Sequence, residues 1–157
     1  MKNLLNRFLD ITLHWPEQIA AYLQWLAPLV ARLVVGEIFM IAGWGKLQNL
    51  DAMIENFTSW GIPFPHILTP FASGAEFVCG ILLMFGLFTR ISAGILGVIM
   101  IVAIKSVLWG DVDSLDTLLG FSETAYLVIF FWLAVAGAGK VSIDHCICRS
   151  SVNAQII

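Results

Sequence analysis

Apolar residues in this chain come in long runs rather than in alternation. Leu26 to Lys46, Leu68 to Phe88, Ile91 to Gly110 and Leu119 to Gly139 each approach the ~20 mostly apolar residues that a membrane-spanning helix needs. Hydrocarbon offers backbone groups no water, so such runs are predicted to be helices. Only Thr89 and Arg90 separate the second and third runs, which predicts a tight antiparallel pair. With these boundaries Pro28 and Pro70 fall in first turns, where a missing N–H is harmless. Between the first two runs, Leu50, Met53, Ile54, Phe57 and Trp60 follow helical spacing. They predict a short amphipathic helix, capped by Asn49 and ended by Gly61-Ile-Pro-Phe-Pro65, on the outer surface or over the bundle mouth. The expected fold is all-α: a four-transmembrane-helix bundle with an amphipathic helix in the first outer loop.

Composition supports that class. Of 157 residues, 59% are hydrophobic and 12% charged, against about 25% charged in soluble domains, and the mean hydropathy is +0.89. The net charge of −3 offers nothing to nucleic acid. Three parts are read: an interfacial segment over 1–25, one membrane domain over 26–145, and a tail over 146–157. The start, MKNLLNRFLD, lacks the apolar run of a cleavable signal peptide, so none is expected. Lys2, Arg7, Arg90, Lys140 and Arg149 fall on one side of the four spans, and Lys46 and Lys105 on the other. That bias predicts cytoplasmic termini in a bacterial inner membrane.

The charges inside the runs carry the candidate chemistry. A charged side chain at mid-bilayer costs about 2.5–3.5 kcal/mol on insertion scales, so such residues face the bundle, find partners or lose their charge. Arg32, Gly36, Phe39, Gly43 and Lys46 share one helical face, and the two glycines admit a neighbouring helix. Glu76 and Gly80 share a face of the second run, at a depth between Arg32 and Lys46. An interior Arg32–Glu76 pair is expected, and Lys105 is expected to pair with Glu123. Glu37 points about 140° away from Arg32; another groove, a partner subunit or loss of its charge would each accommodate it.

Trp44, Trp60, His66 and Trp109 are expected near the outer mouth, as ligand walls or as an interfacial belt. The expected ligand-binding residues are Lys46, Trp44, Lys105, Glu123, Arg32 and Glu76. A planar, carbonyl-bearing lipophile such as a quinone suits aromatic walls with a basic donor. No metal is expected at this site and no catalytic residue is assigned. Cys79 reads as a packing residue. Cys146-Ile-Cys148 beside His145 can hold a soft metal or cycle through a disulfide, or be palmitoylated or inert.

Three motifs resemble the DoxX family. They are Arg32-x3-Gly36-x2-Phe39-x3-Gly43-x-Gly45-Lys46, Glu76-x3-Gly80 with Gly86-Leu-Phe-Thr89-Arg90, and Gly137-Ala-Gly139-Lys140-x-Ser142-x-Asp144. The resemblance spans about residues 26 to 145 and implies a four-helix bundle. It also implies service to a membrane redox or thiol-homeostasis complex, since some members are subunits of a thiosulfate:quinone oxidoreductase and others associate with superoxide dismutase and a sulfurtransferase. It carries over Arg32, Lys46, Glu76 and Arg90 without assigning their roles. Two expectations stand: a quinone-binding subunit with protein partners in the bilayer, able to form a homo-oligomer, or a non-enzymatic scaffold that docks partners.

Overall fold

A computed structural model describes residues 20–154, so the N-terminal segment expected to be interfacial lies mostly outside the described residues. The described residues form helices and no strands: α1 (Leu26–Gln48), α2 (Leu50–Ser59), α3 (Pro65–Phe85), α4 (Thr89–Ala103), α5 (Leu115–Gly120), α6 (Ser122–Ala136) and α7 (Ile143–Ala154). A π-helical turn, Ile104–Leu108, continues α4, and a 3-10 turn, Trp109–Asp111, follows it. Among the described residues three helices are long and apolar enough to cross a membrane: Leu26–Gln48, Pro65–Phe85 and Thr89–Leu108. The fourth expected span is divided. Phe121 takes an extended conformation (ψ 138°) between α5 and α6, leaving α6 as a 15-residue apolar helix.

Small residues set how α1 meets α3. A Cβ on Gly43 would lie 2.4 Å from the Phe77 nitrogen, and one on Gly80 would lie 2.6 Å from the Met40 nitrogen. The two backbones therefore touch, as in glycine-mediated packing between membrane helices. The buried core is completed by Val35, Phe39, Leu83, Leu96, Met100, Phe130 and Leu133, drawn from α1, α3, α4 and α6. Phe39 packs edge-on against Tyr126 (5.4 Å) and Phe130 (5.0 Å), tying α1 to α6.

Helix boundaries differ from the expectation at several points. The turn between the second and third runs is residues 86–88, and Thr89 and Arg90 lie in the first turn of α4. α3 starts at Pro65 rather than Leu68, so Pro70 lies inside the helix beyond its first turn. Asn49 does not cap α2 with its side chain; its amide donates to the Gly45 carbonyl instead (3.1 Å). The amphipathic α2 is present, with Met53, Ile54 and Phe57 half-buried and Asp51 and Glu55 exposed.

Candidate functional site

The backbone contacts of Gly36 and Gly43 fix which charges meet. Gly36 lies against Gly80 and Gly43 against Ser73 and Phe77. In that antiparallel register Glu76 sits level with the turn holding Ala42. Lys46 is then about 6 Å of helix rise away and Arg32 about 15 Å in the other direction. Lys46 takes the carboxylate: its Nζ donates to Glu76 Oε1 at 2.7 Å and Oε2 at 2.6 Å. This is the one ion pair among the described residues. The expected Arg32–Glu76 pair does not form.

Arg32 does other work. It is buried, and donates through Nε to the Pro28 carbonyl (3.2 Å) and through Nη2 to the Val141 carbonyl. Its guanidinium thus clasps the segment that follows α6. The same segment returns to the α3–α4 turn: Asp144 accepts from the Phe88 (2.8 Å) and Thr89 (2.9 Å) amides, and its own amide donates to the Gly86 carbonyl (3.0 Å). A carboxylate at the start of α4 satisfies amides that no helical carbonyl reaches and matches the helix dipole. Ser142 accepts from the His145 amide and starts α7. Gly86, Phe88 and Thr89 of the second motif and Ser142 and Asp144 of the third therefore build a structural clasp at one end of the bundle. The sequence marked Asp144 as part of a pattern; its capping role rests on a contact 55 residues distant, which no local signal reveals.

The Lys46–Glu76 pair borders a cavity of about 510 Å³ among α1, α2, α3, α4 and α6. Pockets of that size hold small molecules. Its walls are mostly apolar: Phe39 and Ala42 from α1, Met53 and Phe57 from α2, Met100 and Ala103 from α4. Trp60 and Ile62 close one side, and Glu123 and Tyr126 of α6 supply the remaining polar atoms. Ile38, Phe71, Val98 and Val102 line the cavity yet stay exposed, which places an opening toward the apolar phase of the bilayer. The Glu76 side chain is 3% exposed and that of Lys46 34%. A lysine ammonium has three N–H donors; two are held by Glu76, and the third is free for a ligand.

Of the six expected ligand residues, Lys46, Glu76 and Glu123 line this cavity, and Arg32, Trp44 and Lys105 do not. Arg32 is absorbed by the clasp. Trp44 is exposed on the outer face of α1, against Phe77 (ring centroids 5.3 Å), beside a shallow groove with Met40 and Ile41. Lys105 is exposed on the π-helical turn and forms no ion pair with Glu123, which accepts instead from the Ser122 hydroxyl (3.0 Å). Trp60 is the one expected aromatic wall that reaches the cavity, while His66 and Trp109 are exposed. Tyr126 was not anticipated, because an apolar run gives no sign of which face turns inward. In the tail, Cys146 and Cys148 are exposed on α7, where a spacing of two residues sets their thiols roughly 160° apart around the helix. No group of three metal-ligating side chains occurs among the described residues.

Comparison with known proteins gives the family. The chain is similar to a putative oxidoreductase, CatD, of Bacillus subtilis (strain 168), at 26% identity over 83% of this chain and 94% of the relative. It is also similar to two proteins of Escherichia coli (strain K12). The inner membrane protein YphA is 29% identical over 74% of this chain and 87% of its own, and the inner membrane protein YqjF is 26% identical over 74% and 88%. No solved structure matches the chain. The DoxX family model matches residues 27–109, more than half of the 157-residue chain, and the chain belongs to the DoxX family of membrane proteins.

Proposed function

We propose that this protein binds a lipophilic ligand of the quinone type in the cavity beside Lys46 and Glu76, as a subunit of a redox or thiol-homeostasis complex in a bacterial inner membrane. One observation carries the reading: an ammonium with an unused donor opens onto a mostly apolar cavity. Lys46 suits a carbonyl oxygen, and the ion pair with Glu76 offsets the charge of its ammonium. Glu123 and Tyr126 are placed for a second polar atom, and Phe57 and Trp60 offer flat apolar surface to a ring. A quinone, when bound, supplies two-electron redox chemistry in a carrier soluble in the bilayer. The likeness to CatD, a putative oxidoreductase, supports the redox assignment.

The test is direct. Organic extraction of protein purified in mild detergent should yield a quinone near one per chain. The double variant Lys46→Met/Glu76→Gln removes donor and charge together, leaving no buried ion uncompensated. It should unfold at a temperature close to wild type while losing at least tenfold in affinity for a short-chain quinone analogue. Full binding by the folded double variant, or the absence of any extractable lipophile, would favour the docking-scaffold reading. The exposed acidic residues Asp51, Glu55, Asp113 and Asp116 would then be its natural contact surface.

A further inference from the structure

Glu37 is explained by neither the clasp nor the cavity. It lies midway along the 23-residue α1, where Val35, Gly36 and Phe39 turn into the bundle. Its own side chain is exposed, and among the described residues it has no hydrogen-bond or ion-pair partner. A carboxyl at the centre of a lipid-facing helix is disfavoured unless something meets it.

Its surroundings suggest what does. On the face of α1 away from the bundle, Val30, Val34, Glu37, Ile41, Trp44 and Gln48 are all exposed and follow one another at spacings of four and three residues. That alternation matches a seam along which two helices can pack side by side, where a single polar residue can fix register and partner number. The apolar members are among the most exposed on the helix: Val30 49%, Val34 52%, Ile41 59% and Trp44 51%.

We propose that a second copy of this chain docks along this seam, α1 against α1, with the two Glu37 carboxyl groups hydrogen-bonded to each other on a two-fold axis. A two-fold interface sets a residue near the axis opposite its own copy. One acid can then donate to the other, so the polar group that lipid disfavours is satisfied without help from a different protein. No other charged residue is exposed at mid-depth in the described spans. Arg90 stands in the first turn of α4 and Lys105 on its last, π-helical turn.

Cysteine cross-linking tests the geometry. In a background of Cys79→Ala, Cys146→Ser and Cys148→Ser, single variants Val34→Cys and Ile41→Cys are oxidised in native membranes. Val128→Cys, on α6 and 63% exposed in the wild type, is the control for random collision. Disulfide-linked dimers at 34 and 41 but not at 128 are expected. Absence at both seam positions, or equal cross-linking at 128, overturns the proposal and leaves the face to lipid or to a different membrane protein. A second measurement separates the carboxyl from the apolar seam. In liposomes of decreasing protein density, dimer fraction is counted by single-molecule photobleaching. Glu37→Gln keeps hydrogen bonding and should stay within about threefold of wild type, whereas Glu37→Leu should weaken dimerisation about tenfold. Undiminished dimerisation of Glu37→Leu overturns the role given to the acid.

Discussion

Gly86→Ala should destabilise this protein by about 4–6 kcal/mol. Two costs combine. Gly86 has φ +66°, in the left-handed region, where a side chain costs about 1–2 kcal/mol. The added Cβ would also lie 1.6 Å from Arg32 Nη1 and 2.7 Å from the Ser142 Cβ. Arg32 must then withdraw from the Pro28 and Val141 carbonyls, and each buried polar group left without a partner costs about 1–3 kcal/mol. Reversible unfolding in mixed micelles measures the loss. Gly94→Ala is the control, because nothing lies within 4 Å of its added Cβ, and alanine there should be neutral or stabilising by up to ~1 kcal/mol. If the two variants unfold alike, the clasp does not hold the bundle together.

The second large effect concerns the ion pair, and its form is asymmetric. Lys46→Met leaves the Glu76 carboxylate, 3% exposed, with no counter-charge. Removal of one partner from a buried pair costs about 3–5 kcal/mol. Glu76→Gln should cost less, about 1–2 kcal/mol, because Lys46 is 34% exposed and its flexible stem can carry the ammonium to the cavity mouth. Joining both substitutions removes both charges, and replacing a buried pair by neutral groups is often close to neutral. The double variant should therefore be more stable than Lys46→Met alone, a sign reversal that independent sites cannot produce. Arg32→Ala should add to Glu76→Gln without coupling, since the two residues lie about 15 Å apart in helix register and share no partner. Simple additivity of the Lys46 and Glu76 losses would contradict the geometry.

Several features could be read from residue order. The apolar runs located three long helices, because exclusion of water acts on every residue of a span. The stripe from Leu50 to Trp60 identified α2, since its period survives whatever the helix packs against. Lys46 and Glu76 were recognised as interior groups from their glycine-bearing faces. Their pairing was misassigned because it depends on the axial register of α1 against α3. Gly36 on Gly80 and Gly43 on Phe77 set that register, and no count of apolar residues contains it. The division of the fourth run at Phe121 is equally hidden, as nothing apolar distinguishes a residue with extended backbone from its helical neighbours. Asp144 carried a motif but no visible partner until the chain closed on itself.

The short α6 has a consequence for the lipid itself. Its 15 residues rise about 22 Å, whereas the 23 of α1 rise about 34 Å and the hydrocarbon layer is about 30 Å thick. The α6 side of the molecule is thus shorter than the hydrocarbon layer that α1 fits. Acyl chains beside α6 must compress or tilt to keep it covered, at a cost of fractions of a kcal/mol per ångström of mismatch. A leaflet that thinned to match α6 would bring its headgroups toward the first turn of α6, where Glu123 stands. Acyl-chain length becomes an input to the protein: thin bilayers relieve the compression, and thick ones increase it at the edge of the cavity.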